Sequence, residues 1–256
     1  MEKRDMSKSG ERDYLRNIDE AGRRHAKGKP FTDPECGAFL MVVGAVMTLL
    51  PPPPARLLDL GCGTGWTSCF FAKRGYQVVG QDIAEDSIAL ARANQEEQRV
   101  GNLSFVVSDY EDMGFDSPFD CAVFFDSLHH AVDEKAALRS VFKALKPGGI
   151  CVASEPGWGH SKSVSAREAI KKYNVTEKDM PPFRVRRIAQ CIGFRRFEVY
   201  PFPAQLGRFI FQRSIKFGGR FKFLNPLCNL PLVRNLVSFY LVAFHKHLQG
   251  LMVMVK

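Results

Sequence analysis

The chain has 256 residues, 45% hydrophobic and 25% charged, the make-up of a globular protein with room for one sizeable α/β domain and an appendage. Its seven cysteines are scattered and none forms a C-x-x-C pair, so neither a zinc site nor a disulfide framework is suggested and a reducing, cytoplasmic setting fits best. The net charge of +9 turns out to be concentrated in one segment, and the charged N-terminal residues are not those of a secretory signal.

Residues 1–30 carry charges of both signs with Tyr14, Leu15 and Ile18 as apolar points, the pattern of a frayed helix reaching about Gly22. Cys36 to Leu50 then runs without a charge and is closed by four prolines. A membrane span needs about 20 residues, and Thr32 and Glu35 stand at capping-box spacing before this shorter run, so it reads as a helix buried against the domain. Pro51 to Pro54 is a stiff connector.

Arg56 to Asp82, RLLDLGCGTGWTSCFFAKRGYQVVGQD, reads as strand, glycine turn, helix and strand. Arg56–Leu60 is a short apolar strand. Gly61, Gly63 and Gly65 follow at alternate positions, and an amphipathic stretch from Trp66 to Arg74 stops at Gly75. Gln77–Gly80 returns as a strand and delivers Asp82. Such a βαβ unit opens a crevice beyond its strand ends, where glycines let the backbone approach a ligand and an acid can accept from two ribose hydroxyls. A dinucleotide fingerprint, G-x-G-x-x-G, would need glycine where Trp66 stands, so the indole disfavours that reading. A purely structural glycine turn, with Asp82 as a cap, is the bland alternative.

After Asp82, Ile88, Leu90, Ala91 and Ala93 mark an amphipathic helix, and Leu103–Ser108 is a third strand ending at Asp109-Tyr110. Cys121–Phe125 is a fourth, followed by Asp126-Ser127-Leu128-His129-His130. Asp133 opens a helix with Ala137, Leu138, Val141, Phe142 and Leu145 on one face. Lys146-Pro147-Gly148-Gly149 stops it, and Ile150–Ala153 is a fifth strand reaching Glu155. Strands alternating with helices predict a parallel sheet covered on both faces.

DLGCGTG, with Asp59 just ahead of the glycines, resembles motif I of the class I S-adenosylmethionine-dependent methyltransferases. FDCAVFFDSLHHAVDEKAALRSVFKALKPGGICVASEP resembles their fourth and fifth motifs, and residues 183–202 resemble their last crossover helix and sixth strand. LMVMVK would be the seventh strand. The resemblance covers about Leu57–Phe202 and the last six residues. It implies an α/β, Rossmann-like, doubly wound seven-stranded sheet, mostly parallel with the last strand antiparallel and helices on both faces. Residues 1–54 would be N-terminal helices, with Tyr14 either a lid residue over the cofactor or merely part of a solvated helix. Residues 55–202 and 251–256 would form the cofactor domain, and 203–250 an insertion.

The resemblance further implies which residues meet S-adenosylmethionine, released after transfer as S-adenosylhomocysteine. The methionine end would lie over Asp59, Gly61, Cys62 and Gly63 in the turn completed by Gly65, with the Phe125 backbone closing that side. Asp82 would hold the ribose, Ile83 would cover the adenine, Asp109 would accept from its amino group and Tyr110 would lie beside the ring. A hydroxyl acceptor gains from a general base of pKa near neutrality, and His130, then His129, follow the fourth strand at the right edge. They can also be plain loop histidines. Glu155 and His160 are second-rank candidates. No metal is expected, although Asp126 with His129 or His130 could ligate one. DSLH stands where base-amino methyltransferases carry an [N/D]-P-P-[Y/F/W] run, and Cys121 begins its strand, which disfavours methylation of nucleic-acid bases.

From Phe202 to Gly250 there is no acid, while Arg208, Arg213, Lys216, Arg220, Lys222, Arg234 and Lys246 contribute 7 of the net +9. Phe209, Phe211, Phe217, Phe221, Phe223, Phe239, Tyr240 and Phe244 are interleaved, and Leu232–His247 can form a helix. Three roles compete: a cap over the acceptor pocket, an element resting on anionic lipid at the inner membrane face, or an RNA-binding surface. No recognised RNA-binding module supports the last. The expected activity is methylation, at oxygen, of a small-molecule, sugar or lipid-linked acceptor. An RNA methyltransferase and a non-catalytic cofactor-binding module are the alternatives.

Overall fold

The computed structural model describes residues 2–115, 118–211, 222–223, 225–228 and 230–256. Three helices, α1 (Glu2–Asn17), α2 (Glu20–Gly28) and α3 (Cys36–Leu49), precede β1 (Arg56–Leu60). Alternation follows through α4 (Trp66–Arg74), β2 (Gln77–Asp82), α5 (Glu85–Glu97), β3 (Leu103–Val107), β4 (Phe119–Phe125), α6 (Glu134–Ala144) and β5 (Leu145–Ser154). The chain continues with α7 (Val164–Tyr173), α8 (Pro182–Ile192) and β6 (Arg196–Pro201). It ends with α9 (Pro203–Phe211), α10 (Asn225–Cys228), α11 (Pro231–Ala243) and β7 (Gly250–Val255).

The seven strands form one sheet in the order β3-β2-β1-β4-β5-β7-β6. The first five are parallel, and β7 inserts antiparallel to both β5 and β6. The order reverses between β1 and β4, so the crevice opens at their C-terminal ends, where Gly61 and Asp126 begin their loops. Period-2 alternation divides the core in two. Leu57, Cys121, Val123 and Val253 join α3, α4 and α5 on one face; Leu58, Ala122, Phe124 and Met254 join α6 and α8 on the other. Each strand residue is thus committed to one helical layer, which fixes register.

Three local expectations differ from what forms. The N-terminal helix is two helices, broken after Asn17 and resumed at Glu20 with Asp19 as the cap that accepts the Gly22 amide. Thr32 and Glu35 make no capping box: the Thr32 hydroxyl donates to the His25 carbonyl at 2.8 Å, and Asp33 accepts the Glu35 amide at 2.8 Å. The tight turn before α3 draws Thr32 back toward α2. The KPGG run does not lie outside the sheet, because β5 already pairs at Leu145 opposite Phe119 and shifts register before Ile150 joins Cys121. Asp133 caps α6 as expected, accepting the Ala136 amide at 2.9 Å.

Within 203–250, α9 lies on α3, with Gly207 against Met41, and α11 packs on α9 and β6. Arg213, Lys216, Arg220, Phe217 and Phe221 lie outside the described residues, as do the side chains of Arg208 and Phe209.

Candidate active site

The glycine turn leaving β1 is left-handed at three points, with φ of 63° at Gly61, 52° at Gly63 and 75° at Gly65. A Cβ at Gly61 would come within 2.6 Å of the Ser127 Cβ, and one at Gly65 within 2.6 Å of the Phe105 ring. These two are glycine because neighbours fill the space. At Gly63 a Cβ would meet nothing within 4 Å, so its bare backbone faces open space. Trp66 starts α4 inside an aromatic cluster, edge-to-face with Phe39, Phe70 and Phe125.

Asp82 ends β2 beneath this turn. One oxygen accepts the Gly63 amide and the other the Ala84 amide, each at 2.9 Å. A carboxylate offers about four acceptor positions, so two remain for a vicinal diol. Burial raises its pKa, opposed by the two amide hydrogen bonds. Asp59 stands behind the cavity wall, 1% exposed. Its Oδ2 accepts from Thr67 at 2.7 Å and Ser68 at 2.6 Å, tying β1 to the first turn of α4, while Oδ1 is buried without a partner. Burial outweighs those hydroxyls and pushes its pKa up to about 6.

On the far side, Ile83, Asp109 and Tyr110 line the same cavity. The Asp109 carboxylate accepts the Glu111 amide at 2.9 Å and is held by Lys8, which reaches in from α1 and also lies 3.1 Å from Glu111. The Tyr110 hydroxyl donates to the Ser127 carbonyl at 3.0 Å, and its ring packs edge-to-face on Phe124.

The opposite end is built by three segments. Asp126, at a φ of 56° that side chains disfavour, turns the chain from β4 into a short 3-10 turn, Leu128–His130. Glu155, from the end of β5, holds that turn: it accepts the amides of Ser127, Leu128 and His129, and its Oε2 meets the His129 Nδ1 at 2.8 Å. Those bonds occupy Glu155, so it positions His129 rather than facing the cavity. His129, 4% exposed, turns its Nε2 toward Glu177 Oε2 at 3.5 Å, and His160 Nε2 meets the same oxygen at 2.6 Å.

His130 differs. Its Nδ1 lies 2.8 Å from the Thr176 carbonyl and 3.3 Å from Glu11 of α1. Burial works to lower its pKa, but the Glu11 hydrogen bond and the charges of Glu11, Glu177 and Asp126 carry it up to about 10. It is a cation at neutral pH. Against burial, hydrogen bonding with His160 keeps Glu177 below the usual carboxylate range, and the same contact raises His160.

These groups share one cavity of about 420 Å³, lined on the turn side by Gly61, Cys62, Gly63, Asp82 and Ile83 and on the other by Phe125, Asp126, His129, His130, His160 and Glu177. Asp59 and Gly65 support its wall without lining it. Tyr14 does line it, with its ring edge-to-face on Tyr173. None of the described residues of 203–250 does. Sequence reading missed Glu177, Glu11 and Lys8. Their only signals were a polar, proline-closed run at Thr176–Pro182 and unexplained charges in α1.

A parallel sheet that reverses order at a glycine turn, with an acid ending the next strand, defines a nucleoside-binding α/β protein. The family model for a methyltransferase domain matches residues 53–191, and the chain belongs to the class I S-adenosylmethionine-dependent methyltransferase family. A putative methyltransferase of Geobacillus sp. (strain WCH70) is 37% identical over 99 residues, which is 37% of this chain and 40% of that protein. A ubiquinone biosynthesis O-methyltransferase of Xanthomonas campestris pv. campestris is 36% identical over 99 residues, 38% and 41% of the two chains. The match thus spans about 40% of the length of these curated relatives. Phosphoethanolamine N-methyltransferase 2 of Haemonchus contortus superposes with a TM-score of 0.66 at 21% identity, over 96% of this chain and 60% of that one. A putative methyltransferase of Haloferax volcanii, solved with its Trm112 activator, gives 0.64 at 18% identity, over 96% of each chain. These likenesses show the fold.

The residues fit the family's methyl donor. Gly63 offers bare backbone, Asp82 keeps two acceptor positions that would suit the two hydroxyls of a ribose, and Ile83 and Tyr110 line the same cavity, where they would flank an adenine.

Proposed function

We propose that this chain catalyses methyl transfer from S-adenosylmethionine to an oxygen of a small-molecule or lipid-linked acceptor met at an anionic membrane surface. One observation carries the chemical part: a single cavity joins the diol-matched Asp82 to a proton-handling wall of His129, His160 and Glu177. When bound, the donor supplies an electrophilic methyl group on a sulfonium. The chain's own task is then alignment and removal of the acceptor's proton. Glu155 fixes His129 so that its Nε2 stays on the cavity side, whereas His130 is engaged by Glu11 and the Thr176 carbonyl and keeps its proton. The acceptor's proton therefore leaves at the His129–His160–Glu177 wall. Oxygen as the methylated atom is supported by the O-methyltransferase names of the Xanthomonas relatives. Incubating the chain with methyl-labelled S-adenosylmethionine and hydroxylated acceptors tests this. Labelled product is expected, and donor binding without transfer to any acceptor would favour the non-catalytic module.

A second observation supports the membrane setting. α11 has no buried residue, and Leu232, Leu236, Phe239, Tyr240 and Phe244 are all exposed, Leu232 by 71% and Phe239 by 64%. An apolar surface of this kind is uncommon on a monomer that meets only water. It lies in a segment whose charges are all positive, the combination that suits anionic headgroups. No helix among the described residues is long and apolar enough to cross a membrane, so contact would be superficial. The loop carrying His160 touches the end of this segment, through the Trp158 amide on the Leu248 carbonyl at 3.1 Å, which links the lipid face to the acceptor end. Co-sedimentation with anionic but not neutral vesicles is expected; equal behaviour with both would restore the cap reading, and RNA binding that weakens steeply with salt would favour the nucleic-acid alternative.

A further inference from the structure

His129, His160 and Glu177 come from the end of β4, the loop after β5 and the loop between α7 and α8, yet three of their ligating atoms converge. Glu177 Oε2 lies 2.6 Å from His160 Nε2 and 3.5 Å from His129 Nε2, and all three atoms lie within 4.8 Å of one another. Ligand atoms held about 2.0–2.2 Å from one cation lie about 3–3.5 Å apart, so the cluster needs only small adjustments to close on an ion.

The surroundings resemble those of a metal centre more than those of a surface ion pair. His129 presents Nε2 because its Nδ1 is engaged by Glu155 at 2.8 Å, the arrangement that fixes the tautomer and orientation of a ligating imidazole. The His160 loop is braced from the far side, as Asp179 accepts the Gly159 amide at 3.0 Å and the Ser161 amide at 2.7 Å. Asp179 sits two positions after Glu177, so one short segment supplies a ligand and anchors the loop that carries another. The alternative set, Asp126, His129 and Glu155, would have to use the Nδ1 already engaged and a carboxylate already accepting three amides.

We propose that His129 Nε2, His160 Nε2 and Glu177 Oε2 form a binding site for one divalent first-row transition cation, with open positions facing the cavity. Two imidazoles and one carboxylate suit zinc, iron or cobalt better than magnesium or calcium. The proposal rests on the reading of this wall as the acceptor end and specifies how the proton is removed there. An acceptor hydroxyl on an open position of the cation loses its proton to water more readily, because the cation stabilises the alkoxide oxygen. No oxidation or reduction is involved. A vicinal diol or hydroxy-carbonyl group, able to occupy two open positions, is the acceptor chemistry this site would favour.

The test uses Co²⁺ alone on the full chain after removal of metal by chelation, read by calorimetry and by visible absorption. One equivalent should bind with the absorption of nitrogen and oxygen ligands. Glu177→Gln and His160→Ala should each weaken binding at least tenfold, while S-adenosylhomocysteine affinity, used as the check on folding, stays within about threefold. No binding, binding unchanged in both variants, or a thiolate charge-transfer band showing that cysteine holds the ion would each overturn the site. Because the readout needs neither donor nor acceptor, its failure leaves methyl transfer standing. A chelated enzyme that methylates at its full rate would likewise confine the proton transfer to the side chains themselves.

Discussion

Replacing Asp82 with alanine tests the cofactor site where its physics is most explicit. The carboxylate already accepts the Gly63 and Ala84 amides at 2.9 Å and retains about two acceptor positions. Two hydroxyls donating there would form charge-assisted hydrogen bonds, each contributing about 1.5–3 kcal/mol. The substitution should therefore cost about 3 kcal/mol or more, which is a loss of about 100-fold or more in affinity at 1.4 kcal/mol per decade. Isothermal titration with S-adenosylhomocysteine reads this directly. The measurement belongs well below the unfolding temperature, since freeing two amides also loosens the turn. Asp82→Asn, which keeps one acceptor oxygen, should fall between, at about tenfold. A folded Asp82→Ala protein whose affinity stays within about threefold of the wild type would refute the ribose assignment.

His129→Ala should lower turnover by about 100-fold or more with S-adenosylhomocysteine affinity unchanged, measured by steady-state rates beside calorimetry; an equal loss in both would make His129 a structural residue only. The His130 pKa, raised from 6.5 to about 10, makes a stability contribution that is full below pH about 6.5 and disappears as pH rises through about 10. Glu11→Gln should accordingly lower the unfolding temperature at pH 7, and the gap to wild type should close toward pH 10. A gap constant with pH would contradict the pairing. Asp59 has the opposite sign: its folded pKa of about 6 exceeds the ordinary aspartate value of 3.8, so its charge destabilises the fold as pH rises through that window. Asp59→Asn should gain stability over wild type above pH 6 and none near pH 4, as thermal unfolding at the two values would show.

The turn side of the cavity was legible because its residues are local in sequence. Gly61, Gly63 and Asp82 lie within one βαβ unit, and period-2 alternation in β1 and β4 commits each side chain to a face before any tertiary contact is known. The antiparallel β7 followed from resemblance, since nothing in LMVMVK itself says which strands it joins. The opposite wall was legible only in part. His129 stands beside a strand end, but the positions of Glu177 and Glu11 depend on where the loop after α7 and the helix α1 pack, and neither carries a periodic signal. For the same reason sequence alone ranks His130 ahead of His129 without sight of its neighbour Glu11, 119 positions away. The insertion's positive, aromatic make-up was legible in composition, whereas the exposure of α11 was not.

The most direct measurement is a crystal structure of the chain with S-adenosylhomocysteine. The ribose hydroxyls are expected on Asp82, the amino-acid end over Gly63, and the sulfur facing the space between Phe125 and the His129–His160–Glu177 wall. A ligand with its ribose away from Asp82, or with its sulfur turned from that wall, would overturn the proposed site.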